Sequence, residues 1–423
     1  MIRRLAWARI LLLAIGILLV ALAGCAQTGF DAHLRRLVRP YRFRLLQWEI
    51  AHFPQALQVP HVPDLAEGAT VVRTYFTLAQ AAHEHEQMIA AQRGPERTTC
   101  PHCEEYELEA LRKRLEALRP QVRGVLTGQV EETLRAEGIA NPWGLWPWRK
   151  TLFPPVRFVL TEAPHTLIIS PRDRIESVRQ ALLVSGLSLD HIETLERAVE
   201  RLEAPWAPKG VSALVEEIGG FGGTFPTLVV ESPSLRGTIE TICEEWAHQY
   251  FAFTPLGFRY VLHLLGIRRD YEVARLSETA AGIVAKELRD RVLLQYYPDL
   301  APKPQEKTAP LPAPSGKPFD FNRFMRETRL EVDRLLAAGE IEAAEAHMEA
   351  RRQELLREGY VIRRLNQAYF AFHGTYADAP TSVDPIGEEM RTLRTQSATL
   401  AEFIRKASRL TSRADLQRMI AGH

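Results

Sequence analysis

TIETICEEWAHQYFAF, residues 238–253, is the stretch on which the reading of this chain turns. It is entered through Ser232-Pro233-Ser234, a helix start. On a helix, Glu244 and His248 stand one turn apart and project from one face, with Glu245 beside them. Glu240 adds a further carboxylate one turn earlier. If that face is buried, the unpaired acids are unfavourable, and a cation is their natural compensation. The simpler alternative leaves Glu244 and His248 as a surface i,i+4 pair worth about 0.2 to 0.5 kcal/mol, with Ile242 and Trp246 turned to the core.

Glu278 follows His248 by 30 positions, inside LSETAAGIVAKEL, residues 276–288. Ala281, Gly282 and Ala285 fall on its side of that helix, small enough for a second helix to come close. Together the two segments resemble the zincin metallopeptidases, in which an HExxH helix holds zinc through two histidines and its glutamate activates water. Here the motif reads E-E-W-A-H, with Glu244 in place of the first histidine. In the gluzincin branch the third ligand is a glutamate on a second helix, the place Glu278 takes. The resemblance covers about residues 150 to 300, and the order of elements agrees with it.

What the resemblance implies is an α+β fold, mostly helical: a zincin-like catalytic module with a small mixed sheet, flanked by N- and C-terminal helical regions. It implies Glu244, His248 and Glu278 as ligands of one divalent metal and Glu245 as the general base in hydrolysis of a peptide or protein substrate. Zinc is the expected ion, with Mn²⁺ competitive because two of the three ligands are carboxylates. The same two anions weaken the pull on a water proton, so a slower hydrolase is expected. A zincin-shaped pseudoenzyme, or a surface binding protein without turnover, is the competing reading. All of this requires the three side chains to converge within about 5 Å, given metal–ligand bonds near 2 Å.

A second segment, LNQAYFAFHGTY at 365–376, departs from the charged helices before it. It resembles the LNNA-type segment of predicted bacterial lipoprotein aminopeptidases, which implies Tyr376 or His373 as an oxyanion donor. Aromatics at spacings of three and four also suit plain core.

Around the motif the period changes. VRFVL at 156–160, HTLIIS at 165–170, SALVEEI at 212–218 and TLVVES at 227–232 read as strands, the last two as a hairpin around GGFGGTFP. SPRDRIESVRQALL and SLDHIETLERAVERL read as helices opening at Ser170 and Ser188. The glycines at 219, 220, 222 and 223 lack a following GK[ST], so they suit a hairpin at the substrate edge rather than a phosphate cradle. NPWGLWPWRK breaks the helical period and sets a boundary, so the catalytic module is expected over 141–300. Before it, 25–140 reads as an antiparallel helical bundle. After it come a proline-rich linker at 301–318, with six prolines, and helices over 319–423. Cys100-Pro101-His102-Cys103 copies the disulfide oxidoreductase tetrapeptide in a helical context that does not suit it, so Cys100 and Cys103 read as a local disulfide.

At the N-terminus, Arg3, Arg4 and Arg9 precede an apolar run from Ile10 to Gly24. Leu22-Ala23-Gly24-Cys25 resembles the lipobox of bacterial lipoproteins, which implies a signal peptide over 1–24, a lipidated Cys25 and an extracytoplasmic protein anchored to the cell membrane. An uncleaved anchor is the alternative. The 53 basic and 52 acidic residues leave a net charge of +1, which argues against nucleic acid as the main partner. With 46% hydrophobic and 25% charged residues the chain is not disordered throughout, and four cysteines are too few for a disulfide scaffold.

Overall fold

Period-two stretches form two small sheets here, and helices make up most of the rest. The computed structural model describes residues 29–58, 60, 62, 64–92, 101–143, 151–302, 319–374, 376–377, 379 and 381–422. Outside them fall Cys25 with its leader, Cys100, the side chain of Cys103 and residues 303–318 of the expected linker. Among the described residues, no helix is long and apolar enough to cross a membrane.

Among the described residues the first α-helices are α1 (Gly29–Val38), α2 (Leu45–Leu57), α3 (Leu65–Gln92) and α4 (Pro101–Ala136). The middle of the chain holds β1 (Phe158–Thr161), β2 (His165–Pro171), β3 (Arg179–Leu183), α5 (Leu189–Glu200), β4 (Val211–Glu217), β5 (Gly220–Phe221) and β6 (Thr227–Val230). Then follow α6 (Leu235–Ala252), α7 (Pro255–Leu264) and α8 (Tyr271–Tyr296). The C-terminal part carries α9 (Phe321–Ala337), α10 (Ile341–Arg357), α11 (Gln367–His373), α12 (Pro385–Thr395), α13 (Leu400–Ala407) and α14 (Arg413–Ile420). The α+β, mostly helical class is therefore observed.

The strands pair differently from the expected hairpin. β4 runs antiparallel to β2, with Ile168 opposite Leu214, in a sheet ordered β3-β2-β4. β6 runs parallel to β1 and takes the two-residue β5 as its antiparallel edge, giving β1-β6-β5. SALVEEI and TLVVES thus belong to separate sheets, and the one mixed sheet expected becomes two. Apolar alternation marks strands but does not choose their partners, which are set by packing remote in sequence.

The helix expected over 170–183 is also corrected. The Ser170 hydroxyl donates to the Arg174 carbonyl and accepts from the Glu176 amide, closing a turn, and the rest forms β3 against β2. Ser188 does cap its helix, accepting from the His191 amide. Within the expected N-terminal bundle, α3 and α4 pair as a long hairpin. α1 instead lays Phe30, Leu34 and Val38 on the β2–β4 sheet and α5.

One apolar core runs through α3, α4, β1, β6, α6, α8 and the last three helices. A separate cluster joins α9, α10 and α11. α8 lies in the middle of the main core, and its burial on several sides brings the site together.

Candidate metal centre

The hydroxyl of Ser234 accepts from the Gly237 amide at 3.0 Å and starts α6. Ile242, Cys243 and Trp246 go into the core, and the Trp246 indole donates to the Pro154 carbonyl at 2.9 Å. That fixes the rotation of α6 and turns Glu244, Glu245 and His248 to an open cleft of about 1470 Å³. The cleft runs between α1, the β2–β3 arm, the β5 edge and the segment after α11. On α8, Asp270 caps the start, Ala281, Gly282 and Ala285 are buried, and the helix packs against α6.

The expected ligands converge. One ligand atom each from Glu244, His248 and Glu278 can be chosen with all three within 4.8 Å of one another. His248 Nε2 lies 3.4 Å from Glu278 Oε2. Glu244 Oε1 and His248 Nδ1 are buried with no hydrogen-bond partner among the described residues. An orphaned carboxylate oxygen beside an imidazole and a second carboxylate is the donor set a divalent cation satisfies. The group is thus suited to hold a metal.

Electrostatics agree. Burial, reinforced by Glu278, raises the Glu244 carboxyl to about 7 even with His248 nearby. Burial, with Glu244 and Glu278 adding to it, raises Glu245 to about 8. Burial alone would lower His248, but Glu278, then Glu245 and Glu244, outweigh it and raise the imidazole to about 9. Glu278 is pushed up by burial and more strongly down by His248 and the hydroxyls of Tyr260 and Tyr376, so it ends below its ordinary value. Protons here do the charge balancing that a cation would otherwise do.

Glu245 sits under the β5 edge. The Gly222 amide donates to its carboxylate. A Cβ on Gly220 would lie 2.7 Å from Glu245 Oε1, and one on Gly222 would lie 2.8 Å from Glu245 Oε2. Glycine is therefore required for this strand to lie on the carboxylate. Gln249, next to His248, donates from one amide nitrogen to the Gly222 and Thr224 carbonyls and the Thr227 hydroxyl, at 3.2, 2.8 and 2.9 Å. It pins the loop that carries those glycines.

Two phenols complete the group. Tyr376 hydrogen-bonds Glu244 and Glu278, and it is docked there by the Ala377 amide donating to Thr279 Oγ1 at 3.2 Å. The Tyr260 hydroxyl donates to Glu278 Oε1. Sequence reading missed Tyr260 and Gln249. Gln249 had a visible cue in its place beside His248, whereas Tyr260 reaches the site only through the turn between α6 and α7. His373 lines the same cleft, but its ring packs on Tyr369 at 4.2 Å and it does not join the carboxylates. Glu240, expected in the unpaired acid cluster, is instead bound by Arg289 of α8. The surface-pair alternative for Glu244 and His248 does not hold, since both are largely covered within the cleft.

Compared with known proteins, the chain matches no family, no curated protein and no solved structure.

Proposed function

We propose that the protein is a metal-dependent peptidase with a zincin-like centre. The observation that carries this reading is the convergence of Glu244, His248 and Glu278 with two orphaned donor atoms, beside a glutamate lodged under an edge strand. These three would hold the ion, zinc first and Mn²⁺ as its competitor. A bound divalent ion supplies Lewis acidity, easing deprotonation of water and stabilising charge on a carbonyl oxygen.

The chain's own groups supply the remainder. Glu245 takes a proton from the attacking water and delivers it to the leaving amine as the C–N bond breaks. Its raised basicity suits both transfers. Tyr376 donates to the oxyanion that forms on the carbonyl. β5, an edge strand at the cleft, offers backbone groups to which an extended peptide can add as a further strand. The leader reading makes the enzyme an extracytoplasmic, lipid-anchored one, and mass spectrometry of the mature N-terminus should find a lipidated Cys25.

The test uses the chain starting at Ala26, which retains every described residue. Elemental analysis should find about one metal per chain, lost in His248→Ala and in Glu278→Ala. A quenched fluorescent peptide should be cleaved, chelator should stop it and zinc restore it. Absence of metal from both the parent and Glu244→His would sink the proposal. Metal without cleavage of any peptide in a broad library would leave the binding-protein reading in its place.

A further inference from the structure

The chain's charge balance conceals a local excess. In RRLVRPYRFR, residues 35–44, five arginines occur with no acid. Arg35, Arg36, Arg39, Arg42 and Arg44 are all exposed, and none forms an ion pair or a side-chain hydrogen bond among the described residues. The nearest acids are engaged elsewhere. Asp31 is held by Arg179 at 2.7 Å, and Glu49 accepts from the Phe225 amide at 2.9 Å. Arginines elsewhere, such as Arg172 and Arg394, lie against carboxylates. Immediately afterwards, α2 exposes Leu46 (50%) and Ile50 (66%), one turn apart on one face.

Position gives this patch its meaning. α1 begins at Gly29, four residues after Cys25, so a lipid on that cysteine would leave a tether of about 14 Å at full extension. One lipid-linked cysteine and a polybasic segment are the two signals that together make stable membrane attachment. Leu34, Arg35, Val38, Arg42, Phe43 and Leu45 from the same stretch line the cleft, while Arg36, Arg39 and Arg44 lie outside it.

We propose that residues 35–50 form a docking surface for an anionic phospholipid bilayer, which sets the mouth of the cleft beside the lipid headgroups. Arginines meet the headgroup phosphates, and Leu46 and Ile50 enter the acyl boundary. Substrates would then be peptides presented at the membrane surface rather than free in solution.

Vesicle co-sedimentation of the chain starting at Ala26 tests this with no dependence on metal or turnover. Binding is expected to vesicles of phosphatidylcholine with phosphatidylglycerol, not to phosphatidylcholine alone, and to weaken as salt rises. Each arginine neutralised should cost about fivefold in partition, so Arg36→Gln with Arg39→Gln together should cost about 25-fold. Those two do not line the cleft, and circular dichroism and thermal melting of that variant should match the parent, which verifies its fold without any turnover. Leu46→Ser with Ile50→Ser should weaken binding in a salt-insensitive way. Failure to bind anionic vesicles at low salt overturns the proposal, as does undiminished binding by the arginine variant. Equal or tighter binding to a single-stranded oligonucleotide assigns the patch to nucleic acid. A raised KM for acidic peptides in Arg35→Gln and Arg42→Gln, without vesicle binding by the parent, assigns it to substrate.

Discussion

Glu244 and Glu245 are adjacent in sequence and have different surroundings, hence different proposed duties, because a helix separates their directions by about 100°. Glu244 faces His248 and Glu278, while Glu245 faces the glycine strand. Glu245→Gln should therefore lower kcat by roughly 10² to 10⁴ with metal content unchanged. Tyr376→Phe should lower kcat by about 10² to 10³, again with the metal retained. Loss of metal in either variant would contradict these roles. The protonation of the group gives a pH prediction. Glu244 titrates near 7 and Glu245 near 8 against an ordinary 4.5, and His248 near 9 against 6.5. These three groups bind more protons in the folded metal-free chain than in the unfolded chain, so their contribution to stability falls as pH rises towards 9; below about pH 6.5 the depressed His263, His347 and His373 oppose it. Melting of chelator-treated protein should decline from about pH 6.5 to 9, where those three histidines are neutral in both states, and Glu244→Gln should flatten the part near pH 7. A melting temperature that rises across this range would refute the assignment. Metal affinity should move the opposite way, increasing with pH as protons leave the ligands.

At the level of elements, β5 and the loop after it decide whether Glu245 is held. Gly222→Ala places a Cβ against the Glu245 side chain and backbone, so the strand must shift and the amide bond to the carboxylate is lost. Activity should fall at least tenfold with unchanged metal content, a split that elemental analysis and peptide cleavage read separately. Gln249→Leu strips the donor from two carbonyls and should cost about 1 to 3 kcal/mol in denaturant unfolding. Helices of this size were legible one by one: the Ser234 and Ser188 caps and the small-residue face of α8 follow from local spacing. The turn at 170–176 was not, because SPRDRIESVRQALL carries helical spacing that β2 overrides by pairing with Arg179–Leu183.

The whole molecule supports the site by gripping α8 from two sides. Tyr297 at its end hydrogen-bonds Gln129 of α4 at 3.0 Å, and Glu287 receives Arg394 of α12 at 2.6 Å. Tyr75 of α3 and Arg119 of α4 both hold Glu231, just after β6. The core formed with α13 is part of the same assembly, so Phe403→Ala, far in sequence from Glu244, His248 and Glu278, should destabilise the protein by about 3 to 5 kcal/mol. Calorimetry should show the main transition moving as a whole and metal retention failing at the same lowered temperature. An early separate melting of the C-terminal helices, with the metal retained, would refute that coupling.

By itself the sequence determined what repeats over a few residues: the face shared by Glu244 and His248, the small residues around Glu278, the helix starts and the mostly helical class. These depend on a 3.6-residue period that each segment carries within itself. Only the tertiary structure decided which strands share a sheet, that Arg289 takes Glu240 while Glu244 is left with an orphaned oxygen, and that Tyr260 and Tyr376 close on Glu278. Such relations join residues tens to hundreds of positions apart, and they exist only once a common core has fixed where each helix lies.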